Sequence, residues 1–441
     1  MITEPRDQLF ALLRQQGEAG YIGESVSQLA HALQSASLAQ QESASEHLVL
    51  AALLHDIGHI CDPRAEQMPG VGVLRHEYVG AEFLRSLGMA EEVAELVEQH
   101  VNAKRYLTFR YPAYADKLSN ASRQTLRYQG GPMNEDEARR FEQHPRFHDI
   151  LKLRAWDEAA KRTDVEEPTL DYFRAMIRRN CGAPLTATQL GYWQDRGYIK
   201  LSGWFGESEI EELRQAADRL QALPDTPGKW MKYYEAGAGG RQLCRIENFV
   251  QYDRVMERVA VGESTLGLVG ELMAAPAVLF KEKINFKLPG GNGFIEHQDA
   301  PAFTSFGHDY HITMMVSIDA STVENGCLEV APGAHRDGLL PVDPDLTIAT
   351  RLRDGFEWLS VPTEPGDLLL FGSHLPHRSG PNRSNRSRRA LYATYNRRSE
   401  GDVREDYFRM KREAFPPDVE KVPGKQYDAG VFNVGNPVSE N

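Results

Sequence analysis

The stretch Ala51–His59 reads AALLHDIGH and places a His-Asp doublet, His55-Asp56, in an apolar run. Apolar residues at this spacing predict a buried helix. A charge in such surroundings needs a partner, and a metal ion is a suitable one. His59 lies four residues after His55, so the two are expected to share a helix face, and the Asp56 carboxylate can bridge two metals. The stretch therefore predicts a helical domain built around a metal site.

Further histidines and carboxylates lie before and after the doublet, and none of the candidate ligands is a cysteine. Nitrogen and oxygen donors of this kind suit iron, manganese or zinc held open for chemistry, rather than a closed structural zinc. Any one such histidine alone is more often a surface or core residue than a ligand, so only the whole set of candidate ligands indicates a metal site. The candidate ligands are His31, His55, Asp56, His76, His100 and Asp157, with Asp116 as a rival for the last position.

A polar stripe precedes the doublet. Tyr21, Glu24, Gln28 and His31 are spaced by three, four and three residues, which places them on one face of a predicted helix. Beside a metal, such a stripe suits a substrate-binding wall. A solvated helix face is the alternative interpretation.

The second half of the chain holds a separate ligand pattern. His297-Gln298-Asp299 follows a predicted strand and the turn LPGGNGF. With a distal histidine, His377, it makes the two-histidine, one-carboxylate face of non-haem iron(II) sites, which leaves three metal positions open. The motif alone is weak, and the chain offers rivals for it. These are His335-Arg336-Asp337 for the pair and His374 for the distal histidine.

The strand before this pair, FKEKINFKL at 280–288, alternates in polarity. Phe280, Ile284 and Phe286 are predicted to face one way, and the polar residues the other. The polar residues are Lys281, Lys283, Asn285 and Lys287. The first three could reach anions of a substrate or co-substrate, and a solvent-facing strand edge is an equally good interpretation.

Composition limits the classes of function. A chain of 441 residues is long enough for two domains. Its net charge of −13 argues against nonspecific binding to nucleic acid or an anionic membrane, since both need a basic face. No apolar run approaches a membrane span, and the first residues do not read as a signal peptide. The four cysteines are scattered, which favours a reduced, cytoplasmic protein.

The texture of the sequence changes near CGAPLTATQ at 181–189, a stretch suited to a linker. Residues 1–183 have helical patterns with few β-branched runs, and residues 184–441 open with an amphipathic helix and continue as short alternating strands. The prediction is an all-α domain followed by a strand-rich domain with flanking helices. The oligomeric state cannot be read from these patterns.

The first ligand set resembles the HD-domain superfamily, and within it the mixed-valent di-iron oxygenases that cleave phosphonates, over about residues 5–180. The resemblance implies a di-iron centre and dioxygen as co-substrate. It also implies that Tyr21 gates one iron and that Glu24 receives a substrate amine. Residues implied to bind an aminophosphonate are Glu24, Gln28, His59, Lys104, Ser122 and Arg154. The implied catalytic residues are Tyr21, Glu24 and His59.

The second set resembles the phytanoyl-CoA dioxygenase family over about residues 186–400. The resemblance implies a double-stranded β-helix, or jelly roll, that binds Fe²⁺ and 2-oxoglutarate. In that family an arginine eleven residues after the distal histidine grips the C5 carboxylate of 2-oxoglutarate, and Arg388 has this offset from His377. Neighbouring Arg389 is a rival, and surface solvation within RSNRSRR is the plain alternative.

Together the resemblances imply two reactions in reverse order along the chain. The C-terminal half would hydroxylate 2-aminoethylphosphonate at C1, and the N-terminal half would cleave the carbon–phosphorus bond of the product to give glycine and phosphate. One alternative is an HD phosphohydrolase, which uses its metals to activate water, joined to an unrelated hydroxylase. Another is a regulatory HD domain that senses a phosphonate.

Overall fold

The computed structural model describes residues 5–16, 20, 26–165, 168–182, 184–237, 240–303, 306–428 and 430–433. The chain divides into two compact units, Met1–Pro184 and Leu185–Asn441. Among the described helices, none combines the length and the apolar character that crossing a membrane requires. The cysteines are free thiols.

The first unit is helical, with one two-stranded ribbon. Its helices are α1 (Pro5–Gln16), α2 (Gln28–Gln41), α3 (Glu46–Leu54), α4 (His76–Ser86), α5 (Glu91–Arg110), α6 (Pro112–Lys117), α7 (Asn120–Tyr128), α8 (Glu135–Glu142), α9 (Phe147–Ala159) and α10 (Arg174–Asn180). The ribbon pairs β1 (Gln67–Met68) with β2 (Gly72–Val73). One core of buried aliphatic and aromatic side chains runs through the unit.

The helix that carries the His-Asp doublet is shorter than its sequence predicts. α3 ends at Leu54, His55 is its C-terminal cap, and a separate turn of 3₁₀-helix covers Ile57–His59. The expectation that His55 and His59 share one helix face is therefore wrong. Close packing follows the break, since a Cβ at Gly58 would lie 1.9 Å from the carbonyl oxygen of His76. The glycine lets the start of α4 approach the doublet.

The predicted stripe before the doublet does not lie on one helix. α2 begins only at Gln28, after Ser27, whose hydroxyl accepts a hydrogen bond from the Ala30 amide at 3.0 Å and caps the helix. Ser27 also forms an isolated β-bridge with Gly20. Gln28 and His31 thus lie on the first turn of α2, and Tyr21 and Glu24 fall outside the described residues.

The second unit is a jelly roll of two antiparallel sheets with helices against the larger one. Its strands are β3 (Tyr198–Leu201), β4 (Met231–Gly237), β5 (Gly240–Glu247), β6 (Ala277–Lys287), β7 (Phe294–His297), β8 (Ile312–Ser317), β9 (Leu328–Val330), β10 (Leu359–Val361), β11 (Leu368–Gly372), β12 (His377–Ser379) and β13 (Arg388–Arg397). Its helices are α11 (Ala187–Arg196), α12 (Glu207–Ala222), α13 (Arg254–Val261), α14 (Glu263–Met273), α15 (Thr350–Arg353) and α16 (Arg404–Ala414).

The large sheet has the strand order β3-β11-β8-β13-β6-β5-β4, and the small sheet has the order β10-β9-β12-β7. The fold class expected from the sequence, a helical domain followed by a jelly roll with flanking helices, is confirmed. The helices α12, α13 and α14 contribute to the core that contains one face of the large sheet. The other face of the large sheet carries polar groups and a second cluster of buried apolar side chains.

Strand β6 departs from simple alternation at Phe280. Thr394 of β13 pairs with Lys281 and Tyr395 pairs with Leu279, so Phe280 has no partner in the register and forms a β-bulge. Phe280 packs with an aromatic cluster, whereas Ile284 and Phe286 belong to the core under the helices. The expectation that these three share a face is therefore wrong for Phe280.

Gly58 gives a test of the packing around the doublet. We expect Gly58→Ala to lower the free energy of unfolding of the helical unit by about 1–3 kcal/mol, because the new methyl group overpacks the start of α4. Urea unfolding measures the change. Gly20→Ala is the matched control, since a Cβ there meets nothing within 4 Å. Equal losses in the two variants would contradict the close approach.

Candidate metal centres

The Asp56 carboxylate lies between two pairs of histidines. Its Oδ2 is 3.4 Å from His55 Nε2 and 3.8 Å from His31 Nε2. Its Oδ1 is 3.3 Å from His76 Nε2 and 3.8 Å from His100 Nε2. The Nε2 atoms are 3.1 Å apart in the first pair and 3.2 Å apart in the second. Each oxygen faces its own nitrogen donors, which is the arrangement of a carboxylate that bridges two metal ions.

Asp157 on α9 adds a carboxylate to the first pair. Its Oδ1 is 3.4 Å from His31 Nε2 and 3.9 Å from His55 Nε2, while its Oδ2 accepts a hydrogen bond from Arg154. The rival Asp116 is exposed on α6 and belongs to neither group of donors. The structure thus brings together the six predicted ligands. They form the groups His31, His55, Asp157 and Asp56, His76, His100.

Backbone carbonyls orient three of these histidines. In each, Nδ1 donates to a carbonyl oxygen, which leaves the Nε2 lone pair facing the carboxylates. The contacts are His31 to Ala160 at 2.7 Å, His55 to Ala52 at 2.9 Å and His100 to Val97 at 2.6 Å. The Nε2 donor atoms of these three histidines are therefore oriented toward the carboxylates by the fold itself, before a metal ion binds.

The electrostatics of this cluster fit a cation. Burial opposes ionisation, yet the nearby His55 holds the pKa of Asp56 well below its usual range, and Arg154 does the same for Asp157. Asp56 Oδ2 and Asp157 Oδ1 are buried and accept no well-aligned hydrogen bond. Against the effect of burial, the two carboxylates raise the pKa of His55 to about 9. Metal ions would supply the positive charge that these oxygens lack.

His59 differs from the ligand histidines. Its Nδ1 accepts a hydrogen bond from the Val73 amide at 3.1 Å, so the neutral ring carries its proton on Nε2. That Nε2 is 3.9 Å from Asp56 Oδ1, and the ring stacks on His76 with centroids 4.1 Å apart. Burial and the neighbouring His76 lower the pKa of His59 to about 3, which keeps the ring neutral. His59 is therefore placed to donate a hydrogen bond rather than to bind a metal.

The predicted substrate residues Lys104, Ser122 and Arg154 line one cavity with His59, with Asp157 of the first metal group and with all three members of the second. Burial and the Arg154 charge lower the pKa of Lys104 to about 7, and its ammonium donates to Thr125 Oγ1 at 2.9 Å. The cavity thus combines cations with hydroxyl groups, as an oxyanion requires. Sequence reasoning missed Thr125 and Gln129, which also line it, although Thr125 lies on the same helix as Ser122.

Not every predicted substrate residue lies at this cavity. Gln28 is absent from the cavity lining. It is the first residue of α2, and the ligand His31 lies nearly one turn further along that helix. Tyr21 and Glu24 lie outside the described residues, so their roles stay predictions.

In the second unit the strand pair β7–β12 brings the predicted ligands together. His297 and His377 are partners in this pair. Each Nε2 is 3.9 Å from Asp299 Oδ1, and the other carboxylate oxygen accepts a hydrogen bond from Thr313 at 3.0 Å. Nδ1 of each histidine donates to the carbonyl two residues earlier, at 2.6 Å from His297 and 3.0 Å from His377.

This second site also fits a cation. Burial disfavours charge on Asp299, but His377 and Lys281 hold its pKa far below the usual range. Burial and His377 lower the pKa of His297 to about 3, so its ring is neutral and its Nε2 can coordinate. Two imidazoles and one ionised carboxylate on one side of a cavity form a facial triad with open positions.

The rival motifs lie elsewhere. His335 is in a short 3₁₀ turn where its ring contacts the Gln194 carbonyl at 3.2 Å, and Arg336 pairs with Asp195. His374 packs against Tyr310. Among the described residues, neither histidine belongs to a group of metal donors.

Arg388 and Arg389 point to opposite faces of β13. Arg388 is buried, donates to the Gly326 carbonyl at 2.7 Å and to the Tyr392 hydroxyl at 3.0 Å, and its Nε has no hydrogen-bond partner. Tyr392 lines the metal cavity. Arg389 is held on the other face by Asp319, with contacts of 2.8 and 3.0 Å. Of these two arginines, Arg388 is therefore the one with free donor capacity next to the cavity.

Comparison with known families agrees with this geometry. The family model described as phytanoyl-CoA dioxygenase matches residues 193–390, and the HD domain model matches residues 25–140. The first range contains His297, Asp299 and His377, and the second contains the ligands from His31 to His100.

Relatives with curated names match most of their own length. A 2-aminoethylphosphonate dioxygenase from an uncultured bacterium is 49% identical over 257 residues, which are 57% of this chain and 98% of the relative. A methylphosphonate hydroxylase from Gimesia maris is 41% identical, covering 52% and 88% of the two chains. A hydroxymethylphosphonate dioxygenase from the same organism is 40% identical, covering 38% and 84%.

The bridging role of Asp56 predicts its effect on metal content. In an Asp299→Ala background, which removes a ligand of the second site, we expect Asp56→Ala to reduce the bound metal from about two ions per chain to one or none. Elemental analysis of the purified protein measures this. Asp116→Ala is the matched control and should retain both ions; loss of metal in that variant would refute the assignment of Asp157.

The distal histidine of the second site can be tested in the same way. In an Asp56→Ala background, we expect His377→Ala to weaken iron(II) binding by about 10- to 100-fold or more, since one of three ligands is lost. Anaerobic titration with iron(II) measures the affinity. His374→Ala should leave it unchanged, and the reverse result would assign the ligand to His374.

Proposed function

We infer the function of this chain from its two families: its C-terminal half belongs to the phytanoyl-CoA dioxygenase family, and its N-terminal half is an HD domain. The chain is an oxidoreductase. The family and the His297/Asp299/His377 donor set support iron(II) with 2-oxoglutarate in the C-terminal half. The two donor groups around Asp56 support a two-metal centre in the N-terminal half, which we propose to be the mixed-valent di-iron centre that the HD-domain resemblance implies.

The proposed activity is a two-step oxidation of an aminophosphonate. In the C-terminal half, 2-aminoethylphosphonate, dioxygen and 2-oxoglutarate give 2-amino-1-hydroxyethylphosphonate, succinate and carbon dioxide. In the N-terminal half, the hydroxylated product and a second dioxygen give glycine and phosphate. Both equations balance, and the second transfers four electrons from the substrate to dioxygen.

The observation that carries this proposal is that one chain joins the donor sets of both steps. The Gimesia maris relatives are separate proteins whose names describe consecutive reactions, since hydroxymethylphosphonate is the product of methylphosphonate hydroxylation. The relative named for 2-aminoethylphosphonate supports an aminoethyl substrate here. Joining the two steps in one chain raises the local concentration of the intermediate.

When bound, the iron ions supply dioxygen activation in both halves. The chain's own residues bind and orient the substrate. In the N-terminal cavity, Lys104, Ser122 and Arg154 offer donors to the phosphonate oxygens, and the Nε2 proton of His59 faces the space beside Asp56. Next to the C-terminal cavity, Arg388 would offer its guanidinium to a carboxylate of 2-oxoglutarate.

The direct test is turnover with Fe(II), 2-oxoglutarate, dioxygen and 2-aminoethylphosphonate, followed by phosphorus NMR. We expect succinate, glycine and phosphate. Asp299→Ala should block the first step alone, so that added hydroxylated intermediate is still cleaved. Asp56→Ala should make that intermediate accumulate.

Asp116→Ala is the control and should carry out both steps. Release of phosphate from a phosphoester without oxygen would instead support an HD phosphohydrolase. A phosphonate that is bound by the N-terminal half and never consumed would support a sensing domain.

A further inference from the structure

Two lysines on strand β6 face the C-terminal metal cavity without an anionic partner. Lys281 and Lys283 both line the cavity that contains His297, Asp299 and His377. Among the described residues, neither ammonium has a hydrogen bond or an ion pair within 4 Å. Both ammonium groups lie near aromatic rings: Lys281 Nζ is 4.6 Å from the Phe303 ring centroid, and Lys283 Nζ is 5.3 Å from that of Tyr392.

The other buried lysines of this unit have hydrogen-bond acceptors; Lys287, for example, donates to Ser379 Oγ at 2.8 Å. Lys411 binds both carboxylate oxygens of Glu247 at 2.7 Å, and Arg404 donates to both oxygens of Glu282 at 2.6 and 2.8 Å. An unpaired enclosed charge costs free energy that a fold recovers only when something binds it. The two cavity lysines are thus an exception that indicates an anionic ligand.

Asn285 supplies an independent observation. Its side chain lies on the same strand face and lines the same cavity, it is 6% exposed, and its Oδ1 has no hydrogen-bond partner. Buried amide groups are almost always hydrogen-bonded. Rotating the amide by half a turn presents its Nδ2 as a donor to the cavity, so this amide beside two unpaired ammonium groups marks a position for a polar molecule.

The charges around this position are unbalanced. In the register of the sheet, Lys283 lies opposite Glu247 and Asn285 lies opposite Arg245. Glu247 is already paired with Lys411, and its Oε1 lies 3.0 Å from Arg245. Burial and the neighbouring Lys281 lower the pKa of Lys283 to about 8. A dianion at this position would reduce the repulsion between the Lys281 and Lys283 ammonium groups.

The co-substrate has a separate cationic position. Arg388 pairs with Lys287 in the sheet, whereas Thr394 pairs with Lys281. Lys281 and Lys287 are six residues apart on β6, about 20 Å along the strand. Extended 2-oxoglutarate measures about 7 Å between its carboxylates, given carbon–carbon bonds of about 1.5 Å. Lys281 and Lys287 therefore mark two distinct ends of the strand, and the Lys283 ammonium lies between them, 5.3 Å from the ring of Tyr392, to whose hydroxyl Arg388 donates.

We propose that Lys281, Lys283 and Asn285 bind the phosphonate group of the substrate in the C-terminal site and determine its specificity for a phosphonate dianion. The inference rests on the proposed hydroxylation and names the residues that select its substrate. Asp299 is the one carboxylate among the described residues that line this cavity. The C-terminal half therefore recognises the phosphonate rather than the amine, and alkylphosphonates without an amine are also its substrates.

The test separates the phosphonate from 2-oxoglutarate by steady-state kinetics of succinate formation. Lys281→Met and Lys283→Met should raise KM for 2-aminoethylphosphonate and for ethylphosphonate by about 10- to 100-fold each, as expected for loss of a charged hydrogen bond. KM for 2-oxoglutarate should stay within about twofold. Arg388→Met should instead raise KM for 2-oxoglutarate, and Lys425→Met, an exposed control, should change neither constant.

Three outcomes decide the matter. If the lysine variants raise KM for 2-oxoglutarate and leave KM for the phosphonate unchanged, the lysines bind the co-substrate and the proposal is wrong. If ethylphosphonate is not hydroxylated by the wild type while 2-aminoethylphosphonate is, the amine is required and the claimed specificity is wrong. If circular dichroism shows that a methionine variant is unfolded, Lys283→Arg and Lys283→Gln are measured in its place. The KM of Lys283→Arg for the phosphonate should lie between that of the wild type and that of uncharged Lys283→Gln. A KM for Lys283→Arg as high as that of Lys283→Gln overturns the proposed role of the charge.

Failure of the proposed function gives a different result. Wild-type protein would then convert 2-oxoglutarate slowly without a phosphonate, and no phosphonate would stimulate that conversion. Stimulation in the wild type that persists undiminished in both lysine variants would leave the hydroxylation standing and overturn only the binding residues.

Discussion

The helical unit depends on one buried carboxylate shared by two groups of imidazoles. Each oxygen of Asp56 faces a different histidine pair at 3.3 to 3.8 Å, so one side chain fixes the distance between two cation positions. Several features of the fold serve this placement. α3 ends before the doublet, Gly58 admits the backbone of His76, and backbone carbonyls aim the rings of the ligands on α2 and α5.

In the jelly roll, strand pairing places the metal ligands. Pairing of β7 with β12 sets His297 beside His377, and Thr313 on the opposite sheet holds Asp299. In both units Nδ1–H donation to a carbonyl leaves Nε2 as the coordinating atom. Two unrelated folds thus meet the same requirement, imidazole nitrogens aimed at an ionised carboxylate, and the difference in nuclearity follows from whether that carboxylate bridges.

Much of this was predictable from sequence, because ligand identity depends on residue type and spacing. Both fold classes follow from the periodicity and the resemblances. Close packing and register were not predictable: the helix ends at Leu54, before the doublet and the close contact of Gly58 with His76, and the bulge at Phe280 breaks the alternation of β6. The opposite faces of Arg388 and Arg389, and the tautomer of His59, depend on partners distant in sequence.

The central claim is that the two sites act in sequence on one phosphonate. Oxygen consumption, measured with an oxygen electrode alongside succinate and phosphate during turnover of 2-aminoethylphosphonate, tests it most directly. The account predicts two molecules of dioxygen and one of succinate for each phosphate released. One dioxygen per phosphate, or phosphate released without oxygen, would contradict it.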